Sequence, residues 1–226
     1  MRMRRFGVGL PGLAAGLAAA MAVMTPGAGA RADEGMTLQG SVEQMPADSG
    51  MTGCQASFGV GRRDSEYGHG GASLVIGSLA IGRPAAGGPA KLALRLGVLD
   101  EDGTQKLLSG QSSEMPNAGT PVKAVLLVDG GDPTVDNGAD ALGVVPAEKG
   151  FAVFLFADGP VTRQVLAEAS RHGRFKLKYA MQPDGPMARV AVDVTVAKRD
   201  MMHSDNTVID PKAAEGLAAC VATVGQ

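Results

Sequence analysis

Tryptophan is absent from this 226-residue chain, and six Phe and two Tyr residues supply all of its aromatic rings. Histidine is scarce, with three residues, and neither Ser73 nor Ser78 lies in the Gly-x-Ser-x-Gly turn that exposes a hydrolase nucleophile. The Gly-rich phosphate-binding patterns of nucleotide-binding proteins are missing as well. We therefore predict that the protein is not an enzyme and uses no cofactor.

A basic excess is also missing. Residues 1–30 hold Arg2, Arg4 and Arg5 and no acidic residue, and without them the chain has 18 basic residues against 23 acidic ones, a net charge near −5. Proteins that bind nucleic acid usually carry a basic excess or a basic stripe. The charge balance therefore argues against a nucleic-acid partner.

Long apolar runs are confined to the N-terminus. Residues 6–24 are apolar but contain Pro11 and several Gly, follow a positively charged segment at residues 1–5, and precede the small-residue motif Ala28-Gly29-Ala30. This order is typical of a secretory signal peptide, and the alternative is a retained membrane anchor. We predict a signal peptide at residues 1–30 that is cleaved near Ala30. The mature chain is then periplasmic or secreted and has no transmembrane segment.

Cysteine occurs twice, as Cys54 and Cys220. In an exported protein such a pair most simply forms a disulfide, whereas a redox-active pair usually has a Cys-x-x-Cys spacing, which this chain lacks. We predict a structural Cys54–Cys220 bridge that closes almost the whole mature chain.

The clearest secondary-structure pattern lies in residues 151–198. It predicts a strand at 151–156, a helix at 158–171, and strands at 174–181 and 187–198. The two later strands alternate between apolar and polar positions, as strands do when one face of a sheet is buried. The apolar positions are Phe175, Leu177, Tyr179, Met181, Val190, Val192, Val194 and Val196.

The predicted helix has recognisable ends. Asp158 suits its N-cap and Pro160 its first turn, where a missing amide hydrogen costs nothing. Arg171 and His172 favour its negative end, and Gly173 can adopt the left-handed conformation that ends a helix.

The remaining chain predicts short strands and turns. Residues 31–50 form a polar leader with one short strand around 37–43, and residues 61–71, with Arg62, form an exposed loop. In residues 72–82 the apolar alternation slips by one position at Gly77, which predicts a β-bulge there. A second helix is predicted at 210–224.

These elements place residues 51–226 in a single β-rich domain. Its fold class is mainly β, an antiparallel β-sandwich or flattened barrel with two short helices.

One charged surface is a candidate binding site. Arg174, Lys176 and Lys178 share one face of the strand at 174–181, and Arg163 and Arg171 lie on the preceding helix. These five residues suit a patch for an unknown protein or envelope partner of acidic character. The alternative is the solvated face of a strand, on which Lys discourages edge-to-edge pairing.

Metal binding is the other candidate activity. Met201, Met202 and His203 offer soft ligands, so a periplasmic copper-binding protein is our alternative function; otherwise they form a loop with two packed Met side chains. A cluster of acidic side chains in one loop could in principle bind calcium. Its spacing does not match a calcium-binding EF-hand, so we interpret it as a solvated turn. Its residues are Asp129, Asp132, Asp136, Asn137 and Asp140.

Several short motifs follow one another along the chain. They are Gly53-Cys54-Gln55-Ala56, residues 92–99, Val125-Leu126-Leu127-Val128-Asp129-Gly130, a helix, the strand Gly173-Arg174-Phe175-Lys176-Leu177, the valine-rich strand at 187–198, and Gly216-Leu217-Ala218-Ala219. In this order they resemble the invasion-associated locus B family of small exported bacterial proteins. The resemblance extends from Met51 to the C-terminus, but the chain lacks the further cysteines usual in that family and inserts residues 199–207. It implies a β-sandwich without known catalytic residues and a non-catalytic interaction role outside the cytoplasm.

Overall fold

The computed structural model describes residues 35–45, 50–63, 72–100, 102–103, 119–128, 138–148, 150–199 and 206–224. The signal peptide predicted at residues 1–30 lies outside these ranges. The elements in chain order are strands β1 (Met36–Gln44), β2 (Met51–Arg63), β3 (Ala72–Pro84), β4 (Lys91–Leu99), β5 (Lys123–Leu127), β6 (Gly138–Asp140), β7 (Gly143–Pro146) and β8 (Phe151–Phe156), then helix α1 (Pro160–His172), strands β9 (Arg174–Ala180), β10 (Ala188–Asp193), β11 (Val196–Arg199) and β12 (Thr207–Ile209), and helix α2 (Pro211–Val224).

These strands form antiparallel sheets, which confirms the predicted fold class. The larger sheet has six strands in the order β1-β2-β3-β4-β8-β7, the smaller has four in the order β10-β9-β5-β6, and β11 and β12 form a separate ribbon. Within the described ranges these sheets do not close into a barrel, so the sandwich is the correct alternative. The short strand predicted near residue 37 is β1, the first strand of the larger sheet.

The core lies between the inner faces of the two sheets. The rings of Phe58 from β2 and Phe175 from β9 meet edge to face with their centroids 5.6 Å apart. Phe154 and Tyr179 are fully buried in the same cluster. The apolar faces of the last two predicted strands point into this core, as their alternation predicts, but the strand predicted at 187–198 divides into β10 and β11 around Val194.

The bulge predicted at Gly77 is wrong. β3 pairs with both neighbours in unbroken register, with Gly77 opposite Phe58 on one side and Leu96 on the other. Leu79 and Ile81 therefore enter the main core, whereas Leu74 and Ile76 belong to a second buried cluster on the opposite face. The apolar pattern slips because β3 is buried on both faces, not because its backbone bends.

The start of α1 also differs from the prediction. Gly159, not Asp158, is the N-cap, and no side chain caps the helix; Asp158 instead accepts hydrogen bonds from Arg163. Pro160 is in the first turn, and Gly173 ends the helix with a φ of 67°, as predicted. Val165 and Ala169 pack into the main core.

Helix α2 is tied to the larger sheet by the predicted disulfide. Asp210 Oδ1 accepts a hydrogen bond from the backbone N–H of Lys212 at 3.0 Å at the start of the helix. Leu217 and Val224 are buried in the main core, and Cys220 is bonded to Cys54 of β2. The disulfide prediction is confirmed.

Candidate functional site

The predicted basic row lies on β9, in the interior of the smaller sheet. β9 pairs with β10 on one side and β5 on the other, so it is not an edge strand. Arg174, Lys176 and Lys178 point away from the core, on the face opposite Phe175 and Leu177. Protection of a free edge is therefore not the role of these lysines.

Two further cations belong to the same face. Arg189 of β10 lies directly opposite Lys178, and Lys123 of β5 lies opposite Ala180. We call the five cations Lys123, Arg174, Lys176, Lys178 and Arg189 the basic face. Arg189 and Ala191 alternate with the buried valines of β10, so the sequence alone places Arg189 on the outer face. Lys123 is placed on this face only by the pairing of β5 with β9.

Two acidic residues interrupt the basic face. Asp193 lies opposite Arg174 and accepts a hydrogen bond from its Nε at 2.8 Å. Asp140 of β6 lies opposite Val125 and is exposed. Among the described residues, five cations therefore share this face with two carboxylates.

Exposure differs along the basic face. Arg174 and Lys123 are exposed and Lys176 and Arg189 are half-buried, but Lys178 is only 8% exposed. Lys178, at the centre of this surface, is more deeply buried than the cations around it. A solvated strand face therefore describes the rim of this surface better than its centre.

The two helix residues of the predicted patch lie elsewhere. Helix α1 packs against the core side of the smaller sheet through Val165 and Ala169, and Arg163 and Arg171 lie on its exposed side. Arg163 binds both oxygens of Asp158, at 2.8 Å from Nε and 3.0 Å from Nη2. The structure thus brings together Arg174, Lys176 and Lys178, and it separates Arg163 and Arg171 from them.

Arg62 is a cation inside the sandwich. The loop predicted at residues 61–71 is wrong at this position, because β2 continues to Arg63 and Arg62 is only 5% exposed. Its Nη1 donates a hydrogen bond to the hydroxyl of Tyr179 at 3.1 Å, and its guanidinium lies 6.0 Å from that ring. This pair joins the inner faces of the two sheets.

Arg95, on the outer face of β4, makes two contacts that connect neighbouring parts of the larger sheet. Its guanidinium carbon lies 3.6 Å from the centre of the Phe151 ring and it forms an ion pair with Glu148. Burial lowers the pKa of Arg95. The stacked and paired guanidinium holds β4 against β8 and the segment before it.

The edge of the larger sheet at β7 exposes apolar side chains. β7 is the last strand of the larger sheet, and Val144 and Val145 are about half exposed, at 48% and 50%. Leu142, just before it, is 74% exposed. Pro146 has no backbone N–H to offer a further strand, which limits pairing at this edge.

The predicted metal ligands Met201, Met202 and His203 lie outside the described residues, as do residues 129–137 of the acidic loop. In the ranges that the structure describes, no three His, Cys, Asp or Glu side chains are grouped so that they could hold a metal ion. Ser73 and Ser78 are buried in β3, and His172 is exposed at the end of α1.

No helix within the described ranges has the length and apolar character needed to span a membrane. Comparisons with family models, with curated proteins and with solved structures found no match.

Proposed function

We propose that this is a non-catalytic exported protein that binds an acidic protein of the bacterial envelope through the basic face. The observation that carries the proposal is the concentration of Lys123, Arg174, Lys176, Lys178 and Arg189 on one sheet face. The mature chain as a whole is acidic, with a net charge near −5 once residues 1–30 are removed. Such a local cation surface attracts and orients an acidic partner.

Export is supported by two independent features. The N-terminal segment has the order of a signal peptide, and the Cys54–Cys220 disulfide suits an oxidising compartment. The resemblance to the invasion-associated locus B family supports the same class of function, since that family implies an exported β-sandwich without known catalytic residues.

A photo-crosslinking amino acid at Asp140 tests this proposal, because Asp140 is exposed on the basic face and is not one of its cations. Crosslinking in envelope fractions should yield a discrete protein adduct with an acidic partner. The Lys123→Glu/Lys176→Glu variant should lose the adduct. At about 1 M salt the screening length falls to about 3 Å, so the wild-type adduct should also weaken strongly.

The matched control is Arg163→Glu/Arg171→Glu, which changes the net charge equally but on the exposed side of α1. It should retain the adduct. Equal loss in both variants would show that net charge alone matters, and an adduct that resists salt or consists of lipid would contradict a protein partner bound by charge.

A further inference from the structure

The cations of the basic face recur at a regular spacing along the smaller sheet. Side chains on one face of a strand recur at every second residue, which is a distance of about 6.6 to 6.8 Å. The pairing of β10, β9 and β5 aligns these positions into rows that cross the sheet. Four successive rows cover about 20 Å along the strand direction.

Each of these rows carries a cation that solvent reaches. Arg174 lies in the first row and Lys176 in the second, both on β9. The third row has Arg189 of β10 beside the more deeply buried Lys178, and the fourth has Lys123 of β5. Arg174 and Lys123 are exposed, and Lys176 and Arg189 are half-buried. We call Arg174, Lys176, Arg189 and Lys123 the cation track.

The charges of the cation track can meet along one line above β9. Arg189 and Lys123 lie on the two strands that flank β9, and neighbouring strands are about 4.8 Å apart. Arg and Lys carry their charge at the end of a long methylene stem, which covers an offset of that size. A partner that lies along β9 therefore meets one positive charge about every 6.7 Å.

This spacing favours an extended partner. In a β-strand, side chains on one face also recur every 6.6 to 6.8 Å or so, hence acidic residues at alternate positions match all four rows. One turn of an α-helix advances only 5.4 Å, so a line of acidic side chains on a helix would be about 4 Å short at the fourth cation.

The surface between the cations is apolar. Val125 and Leu127 of β5 and Ala191 of β10 share the rows of the cation track and are half-buried. Such surface suits the methylene groups of acidic side chains, whereas the uniformly charged backbone of a nucleic acid or a sulfated polysaccharide offers little apolar surface to bury. The partner segment is therefore better described as a peptide.

We propose that the basic face binds an extended segment of the acidic partner in which acidic residues occupy alternate positions. This inference rests on the proposed function and specifies which part of the partner is bound. Asp193 accepts a hydrogen bond from Arg174 and so weakens the first row. The strongest contacts are then at Lys176, Arg189 and Lys123.

The test is NMR titration of the ¹⁵N-labelled mature protein with short capped peptides, in which the amide signals of β5, β9 and β10 are followed. One peptide alternates four Glu with three Thr residues, and a second has the same composition with its Glu residues in one block. The alternating peptide should bind at least about fivefold more tightly at about 0.1 M salt. A third peptide has one extra Thr in the middle, which turns its last two Glu residues to the opposite face. It should bind no better than the block.

Two variants of the cation track complete the test. Lys176→Gln and Lys123→Gln each remove the charge of one row, and each should weaken binding of the alternating peptide by at least about threefold. Lys123 is exposed, so its variant serves if Lys176→Gln fails to fold. The matched control Arg171→Gln removes a charge from the exposed side of α1 and should leave the binding unchanged.

The proposal is overturned if the block or the interrupted peptide binds as tightly as the alternating one, if no peptide binds, or if an oligothymidylate of similar charge binds more tightly. In any of these cases, a salt-sensitive protein adduct at Asp140 would retain the proposed function and reject only the extended segment. Loss of both the peptide binding and the adduct would reject the proposed function as well.

Discussion

The carboxylate of Asp158 is held by two nitrogen donors of Arg163, at 2.8 Å and 3.0 Å. This hydrogen bonding, together with the positive charge of Arg163, lowers the pKa of Asp158 below its ordinary value of 3.8. A depressed carboxyl pKa stabilises the fold above the ordinary pKa, and the contribution is lost as the pH falls through the folded-state pKa.

We expect Arg163→Gln to raise the pKa of Asp158 towards 3.8, because the substitution removes both the charge and the paired donors. Carbon-detected NMR titration of the Asp158 carboxyl measures this directly. Arg171→Gln removes a charge from the same helix without touching Asp158 and should leave its pKa unchanged. An equal rise in both variants would show that the general field of the helix, not the ion pair, sets the value.

At the scale of elements, Thr37 links the two sheets. Its Oγ1 donates a hydrogen bond to the carbonyl of Ala191 at 3.3 Å and accepts one from the backbone N–H of Asp193 at 2.9 Å. Gly40, further along β1, is in such close contact that a Cβ there would lie 2.6 Å from Cα of Val194. The edge strand of the larger sheet is thus packed closely against the end of β10.

We predict that Thr37→Val lowers the free energy of unfolding by about 1 to 3 kcal/mol, because it leaves the partly buried N–H of Asp193 without its partner. Urea denaturation of the variant and the wild type measures the difference. Thr52→Val is the matched change on the neighbouring strand, where the side chain is exposed, and it should stay within about 0.5 kcal/mol. Similar losses in both variants would mean that strand propensity, not the link between sheets, causes the effect.

An element could be predicted from the sequence where residues close to it in the chain determine its structure. The end of α1 at Gly173 and the valine faces of β10 and β11 follow from local pattern and were predictable. The continuous register at Gly77 was not, because a strand buried on both faces gives the same apolar slip as a bulge.

The candidate sites were less predictable than the fold for the same reason. Three members of the basic face follow from alternation along one strand, but Lys123 reaches it only through the pairing of distant strands.

At the scale of the whole molecule, the disulfide joins residues 166 positions apart, from the second strand to the last helix. Closing so long a loop restricts the unfolded chain by about 5 kcal/mol in the chain-entropy model, and measured effects are often smaller. An effect of that size is a large share of the roughly 5 to 15 kcal/mol by which folded domains are stable.

We predict that Cys54→Ala/Cys220→Ala lowers the free energy of unfolding by about 2 to 5 kcal/mol, measured by urea denaturation at fixed pH. Wild-type protein in reductant should unfold at nearly the same urea concentration as the variant, because both have lost the same loop constraint. Reductant should not affect the variant, since the chain has no other cysteine. A variant as stable as the oxidised wild type would show that the packing of Leu217 and Val224 is enough to hold α2 in place. The bridge would then add nothing to the free energy of unfolding.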